Sequence, residues 1–206
     1  MNTHKKGAMS ALFISVIIAI VAIVFALGAG YWMLQKSSGG AFEQKENAEA
    51  NLQKFQSTDH GYSFMYPKTF VGGAQAVSAD LQKVCVRESV VFQTPPNASE
   101  RFAVLVSVEE PLGIEKGLAT IADSYEKGLE NAGLTFSRAS SDLSTIDGVE
   151  TLTRNYNTTQ SNIVHNTVLF AIQGSKLYII SFLRTANSTE SLGYEEQIKQ
   201  SLHFQK

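Results

Sequence analysis

Four histidines, one cysteine and two short acidic groupings are the side chains of this 206-residue sequence best suited to chemistry. His4, His60, His165 and His203 lie far apart. None stands in an HxH or HxxxH spacing, which would let one strand or one helical turn offer two ligands to a metal. There is no acidic calcium loop. There is also no G-x-S-x-G elbow and no Walker glycine loop. Asp59-His60 is the one acid–histidine pair near an expected loop, and Glu109-Glu110 is the one acidic pair at the end of an expected central strand. Acid–base catalysis needs a third group placed against such a pair. The sequence therefore assigns no catalytic residue, no cofactor-binding residue and no metal ligand. His60 or His165 gathered with Glu109 in one pocket would favour an enzyme, and their dispersal would argue against it.

Cys85 is the only cysteine, so no internal disulfide can form. In Val84-Cys85-Val86 it reads as a small, buried or half-buried strand residue. Asn97-Ala98-Ser99, Asn157-Thr158-Thr159 and Asn187-Ser188-Thr189 match the glycosylation sequon, a chance match in a chain rich in Asn, Ser and Thr.

Residues 8–34 carry no charge, with Lys5 and Lys6 before them and Lys36 after them. A helix needs about 20 apolar residues to cross a ~30 Å hydrocarbon layer, and residues 14–25 leave no polar stripe. Tyr31 and Trp32 close the run, where amphipathic rings favour the interface. The positive-inside bias places residues 1–7 in the cytoplasm and everything after residue 34 outside. A cleaved signal peptide competes with this reading, with Ala26-Leu27-Gly28 as the cleavage site. So does a leader that resembles that of type IV pilins, on Lys5-Lys6-Gly7, although Leu12 stands where that family usually has glutamate. No cysteine near the run supports a lipoprotein anchor. Ala22, Ala26 and Gly30 recur every fourth residue, a common pattern in membrane helices.

Residues 35–60 read as a linker. Ser37-Ser38-Gly39-Gly40 is flexible by composition. Residues 41–54 are rich in helix formers, and Ala41, Ala48, Leu52 and Phe55 share one helical face. The domain then runs over residues 61–206, long enough for one ordinary core. Strands are expected at 62–66, 83–87, 89–93, 102–108, 134–138, 143–146, 149–156, 163–173 and 176–184. Gly72-Gly73 reads as a turn, and Asp147-Gly148 and Gly174-Ser175 as hairpin turns. A helix over about 115–131 follows from Leu118, Ile121, Ala122, Tyr125 and Leu129, with Gly133 as its C-cap and Asp123, Glu126 and Glu130 solvated. A last helix takes Asn187 as cap, Glu190 three residues on, and a stripe of Tyr194, Ile198 and Leu202. The pattern is an α+β domain, an antiparallel sheet covered by helices.

Gly61-Tyr62-Ser63-Phe64-Met65-Tyr66-Pro67, with Phe70 three residues further, resembles the opening strand of PsbP-like domains, where tryptophan usually takes the place of Phe70. The mid-chain helix, the Gly174 hairpin leading into Tyr178-Ile179-Ile180-Ser181-Phe182, and the ending Ser201-Leu202-His203-Phe204 resemble the same family. The resemblance covers residues 61–204. It implies a central antiparallel sheet flanked by helices, an α/β/α sandwich, here preceded by one N-terminal transmembrane helix. It also implies a binding or assembly factor rather than an enzyme. No functional residue carries over, because the matched positions are structural.

From residue 61 onward the charges are scattered and acidic on balance, so no basic patch for nucleic acid is indicated. The expectation is a single-pass protein of the cell membrane whose extracytoplasmic domain is a binding or assembly module. It would touch lipid through its N-terminal helix and a protein partner in the envelope, without cofactor. A pilin-like structural subunit, or an enzyme whose site is invisible in sequence, are the alternatives.

Overall fold

The structure, a computed structural model, describes residues 51–205 apart from 84, 111–116, 132, 159–164 and 186–188. The expected transmembrane helix and cytoplasmic N-terminus lie outside the described residues. Among the described residues no helix is long and apolar enough to cross a membrane.

Two sheets form the frame. The smaller is built from β1 (Leu52–Ser57), β2 (Tyr62–Pro67) and the two-residue β10 (His203–Phe204), with β2 in the middle. The larger has seven antiparallel strands in the order β3 (Val71–Gln75), β4 (Val86–Gln93), β5 (Phe102–Glu109), β9 (Lys176–Arg184), β8 (His165–Gln173), β7 (Val149–Thr158) and β6 (Phe136–Ile146). Among the described residues three helices complete it: α1 (Ala79–Lys83), α2 (Leu118–Asn131) and α3 (Thr189–Ser201).

Strand alternation sorts the side chains of the large sheet into two cores. Val90, Phe92, Val104, Val106, Tyr178, Ile180 and Phe182 point to one face and meet Tyr62, Phe64 and Tyr66 of the small sheet and Ile198 of α3. Leu152, Val168, Phe170, Leu177 and Ile179 point to the other and meet Leu118, Ala122, Tyr125 and Leu129 of α2. The α/β/α expectation is thus met on one face only. The other outer layer is mixed, a three-stranded sheet beside a helix, because the aromatic side of β2 has more apolar area than α3 alone can cover.

Several sequence expectations are corrected. The domain does not begin at residue 61: β1 lies inside the expected linker and pairs with β2 from Leu52↔Pro67 to Ser57↔Tyr62. Phe55 there sits 5.5 Å, ring to ring, from both Phe64 and Phe92. Pairing and aromatic burial override the helix propensity of its neighbours. The two strands expected at 134–138 and 143–146 are one, β6, with a bulge between Arg138 and Ser140. Lys83 belongs to α1 rather than to a strand. Cys85 is half-buried as expected, but in a turn with φ +73°, where its carbonyl accepts the Glu110 N–H at 2.9 Å. The Asp147–Gly148 hairpin turn is as expected, with φ of +52° and +78°. The Asn187 cap lies outside the described residues.

Gly72-Gly73 is no turn but part of the edge strand β3. Gly72 has φ +135°, and a Cβ there would lie 2.0 Å from the Val91 carbonyl oxygen, whereas Gly73 has nothing within 4 Å of that position. Gly72→Ala should therefore cost roughly 1–3 kcal/mol, and Gly73→Ala less. Urea denaturation of the two variants side by side checks this.

A candidate binding cleft

Three segments far apart in sequence meet beyond the Pro67 end of β2. The strand ends at Pro67, the Lys68 N–H makes a last bond to the Asn51 carbonyl at 2.8 Å, and the chain turns back through Phe70, whose N–H bonds the Pro67 carbonyl at 3.0 Å. Thr94 closes β4: its backbone N–H bonds the Phe102 carbonyl at 2.9 Å, and its Oγ1 accepts the Phe102 N–H at 3.1 Å. Between them, Arg101 donates to the Pro96 carbonyl at 2.7 Å and holds the proline loop in shape. The first turns of α3 supply Glu190, Ser191 and Tyr194. A cleft of about 200 Å³ lies among these segments.

Its floor is aromatic. Phe102 and Tyr194 lie 5.7 Å apart, and Phe70 meets Tyr194 edge-on at 5.1 Å. Phe70 is buried behind Tyr194 and Phe102. Its rim is polar, with the side chains of Glu100, Glu190, Thr69 and Ser99, and none of the described residues lining it is basic. The Tyr194 hydroxyl donates to Glu190 Oε1 at 2.5 Å. Burial, that hydrogen bond, and the charges of Glu190 and Glu100 all push the phenol above its ordinary value, so it stays a neutral donor. The cleft has the chemistry to hold a small cationic or donor-rich group against an aromatic wall. Its lining includes no histidine or cysteine to move a proton or attack a substrate.

None of the histidines, the cysteine or the acidic groupings weighed for chemistry from sequence lines this cleft, although Ser99 of a sequon and Glu190 and Tyr194 of the last helix do. His4 lies outside the described residues. Asp59 and His60 sit in the β1–β2 turn at the opposite pole, where their carbonyls accept Lys176 Nζ at 3.0 Å and the Tyr178 hydroxyl at 2.8 Å. Nearby, Ser57 Oγ donates to Glu88 Oε1 at 2.9 Å. Burial first, and the Glu88 carboxylate second, push the Tyr62 phenol up. Glu109 is on the sheet face that carries α2, 1 % exposed, with Oε2 unbonded. Burial pushes its carboxyl up to about 8. Glu110, its neighbour, pairs with Arg87 at 3.1 Å on the surface. His165 lies at the other end of the sheet, its Nδ1 2.8 Å from Asn157 Oδ1. Burial and then the charge of Arg184 lower its pKa, against an opposing pull from Glu195. His203 Nδ1 contacts Asp147 Oδ2 at 2.7 Å. Neither His60 nor His165 meets Glu109. Among the described residues, no group of three or more His, Cys, Asp or Glu could hold a metal ion.

Two buried ion pairs escaped the sequence reading. Arg184 Nε lies 3.1 Å from Glu195 Oε2, joining β9 to α3. Arg154 of β7 reaches Asp123 Oδ1 at 2.7 Å and Glu126 Oε1 at 2.9 Å on α2. Glu126, expected to be solvated, is thus half-buried beneath the helix. Partners 28 and 31 residues apart leave no spacing signal.

No protein-family model matches the chain, and a search of curated proteins finds no match. Among solved structures, the architecture is that of the PsbP-like proteins. The solution structure of cyanobacterial PsbP, CyanoP, from Synechocystis sp. PCC 6803 matches with a TM-score of 0.55 and 21% identity, over 82% of this chain and 98% of that one. The crystal structure of LpqN, involved in cell envelope biogenesis of Mycobacterium tuberculosis, aligns with a TM-score of 0.47 and 11% identity, over 75% of this chain and 92% of that one. The chain thus has the PsbP-like fold.

Proposed function

We propose that the chain is a single-pass, membrane-anchored binding or assembly module with a cytoplasmic N-terminus, a lipid-spanning segment at residues 8–34 and an extracytoplasmic PsbP-like domain that holds a protein partner of the envelope. The observation that carries this is the uncharged run of residues 8–34, followed by a tether and then a well-formed core that starts at Leu52. A chain with both parts has its folded domain on one side of a bilayer. The scatter of His60, His165 and Glu109 favours binding over catalysis, and the acidic rim of the cleft suits a lysine or arginine of the partner better than a nucleic acid.

Fractionation of cells producing the full chain tests this. The protein should pellet with membranes, resist extraction by high salt, dissolve in detergent, and lose its domain to protease added from outside. Recovery in the soluble fraction with an N-terminus inside residues 8–34 would overturn the anchored reading. A domain protected from external protease would overturn its orientation.

A further inference from the structure

Among the described residues the seven-stranded sheet has two unpaired edges, and they are unlike. β3 is five residues long and contains Gly72 and Gly73, a short edge that offers little to pair with. β6 is eleven residues long and largely exposed on both faces. Natural edge strands are normally guarded by lysine, proline or an outward charge. From Ala139 to Ile146, β6 has no lysine, no proline, no glycine and one charge, Asp142. Its single cation, Arg138, is turned back onto α2, where its Nε donates to Glu126 Oε1 at 2.8 Å. Leu143, in the unguarded part, is 63% exposed, the most exposed large apolar side chain among the described residues.

We propose that the β6 edge is a self-association surface, on which a second copy of this chain adds its own β6 in antiparallel register with Leu143 on the two-fold axis. An antiparallel strand pair about a two-fold is self-complementary by symmetry. This register buries Leu143 against Leu143 of the other copy. Asp142 then stands opposite Ser144 rather than opposite a second Asp142, so no like charges face each other. Ser140 falls opposite Ile146. The pairing also satisfies the outward backbone donors and acceptors of β6 and joins two seven-stranded sheets into one. A single strand pair buries less than the roughly 1,600 Å² of a standard stable interface, so the dimer is reversible and grows with concentration.

Cysteine crosslinking on the full chain in detergent micelles tests the surface and its register. Leu143→Cys should form a disulfide-linked dimer under mild oxidation about tenfold faster than Gln75→Cys on the opposite edge, because pairing raises the local thiol concentration. Both variants retain Cys85, so its background reactivity is common to them. Asp142→Cys mixed with Ser144→Cys should crosslink faster than either alone. In sedimentation velocity, Leu143→Lys should remain monomeric at concentrations where the parent dimerises. Equal crosslinking rates at positions 143 and 75, a parent that stays monomeric throughout, or a dimer that survives Leu143→Lys would each overturn the proposal. The last outcome would move self-association to another part of the chain.

Discussion

Replacing Glu109 by glutamine should make the domain more stable above neutral pH and remove much of its pH dependence between about pH 5 and 8. Its carboxyl is 1 % exposed, and burial is the cause of its rise from an ordinary 4.5 to about 8. The folded state therefore keeps a proton that the unfolded chain releases. Stability from this group is complete below about pH 4.5, falls as pH rises through the window up to 8, and is lost above it. A raised carboxyl of this size amounts to an order-of-magnitude loss of about 5 kcal/mol across that window, at 1.36 kcal/mol per pH unit. Glutamine has nearly the same shape and no proton to lose. The check is urea denaturation of both proteins at pH 5, 6.5 and 8. The curves should lie close together at pH 5 and separate in favour of Glu109→Gln as pH rises. A variant that is equally unstable at all three values would mean that Glu109 is ionised and held by a partner.

Arg154→Met should cost about 3 kcal/mol, through the charge it strands rather than the bonds it loses. The Arg154 side chain is 4% exposed and links β7 to both Asp123 and Glu126 of α2. Burial alone would raise the Glu126 carboxyl, but hydrogen bonds from Arg138 and Tyr156 and the charges of Arg154 and Arg138 hold it below its usual range. Arg138 still reaches Glu126 from β6 in the variant, which keeps the loss below that of a fully orphaned charge. Adding Glu126→Leu to Arg154→Met should recover much of the stability, because apolar residues can replace a buried pair at little cost. Asp123, 59% exposed, should contribute little, and Asp123→Asn tests that. Hydrogen exchange should show the loss first in α2, whose only charged ties to the sheet run through this cluster among the described residues.

These two groups bear opposite pH signatures. Glu126, with its carboxyl held low, contributes stability above about pH 4.5 that is lost as pH falls through its lowered value. Glu109 loses its contribution as pH rises toward 8. The contributions of these two groups are both fully present only between the lowered Glu126 value and the start of the Glu109 window.

The parts of the fold legible in sequence were those set by neighbours. Asp147-Gly148 and Gly174-Ser175 make their turns with local backbone preferences, and α2 carries its apolar stripe within a few turns. β1 was hidden because Leu52 and Phe55 are spaced for a helix, and only the ladder on β2 makes the segment extended. Val84-Cys85-Val86 reads as strand, yet Cys85 sits in a turn closed by its N–H on the Gln82 carbonyl at 3.1 Å and tied by its own carbonyl to the distant Glu110 N–H at 2.9 Å. The candidate site was illegible for the same reason. Thr69, Glu100 and Tyr194 are brought together by two loops and the first turns of α3, with no shared motif. The acidic pair Glu109-Glu110 misled in the opposite direction. Adjacent residues at the end of a strand face opposite ways, so one carboxyl is buried and the other is at the surface with Arg87.

The small sheet also sets how the domain bears load. Leu52 enters beside Pro67, and Phe204 leaves beside Tyr62, at opposite ends of the same central strand. A pull between the two ends of the domain runs along β1, β2 and β10 rather than across them. The six residue pairs between β1 and β2 would have to slide together instead of opening one at a time like a zipper. The thinnest layer of the fold is thereby placed in the direction in which hydrogen-bonded strands are hardest to part.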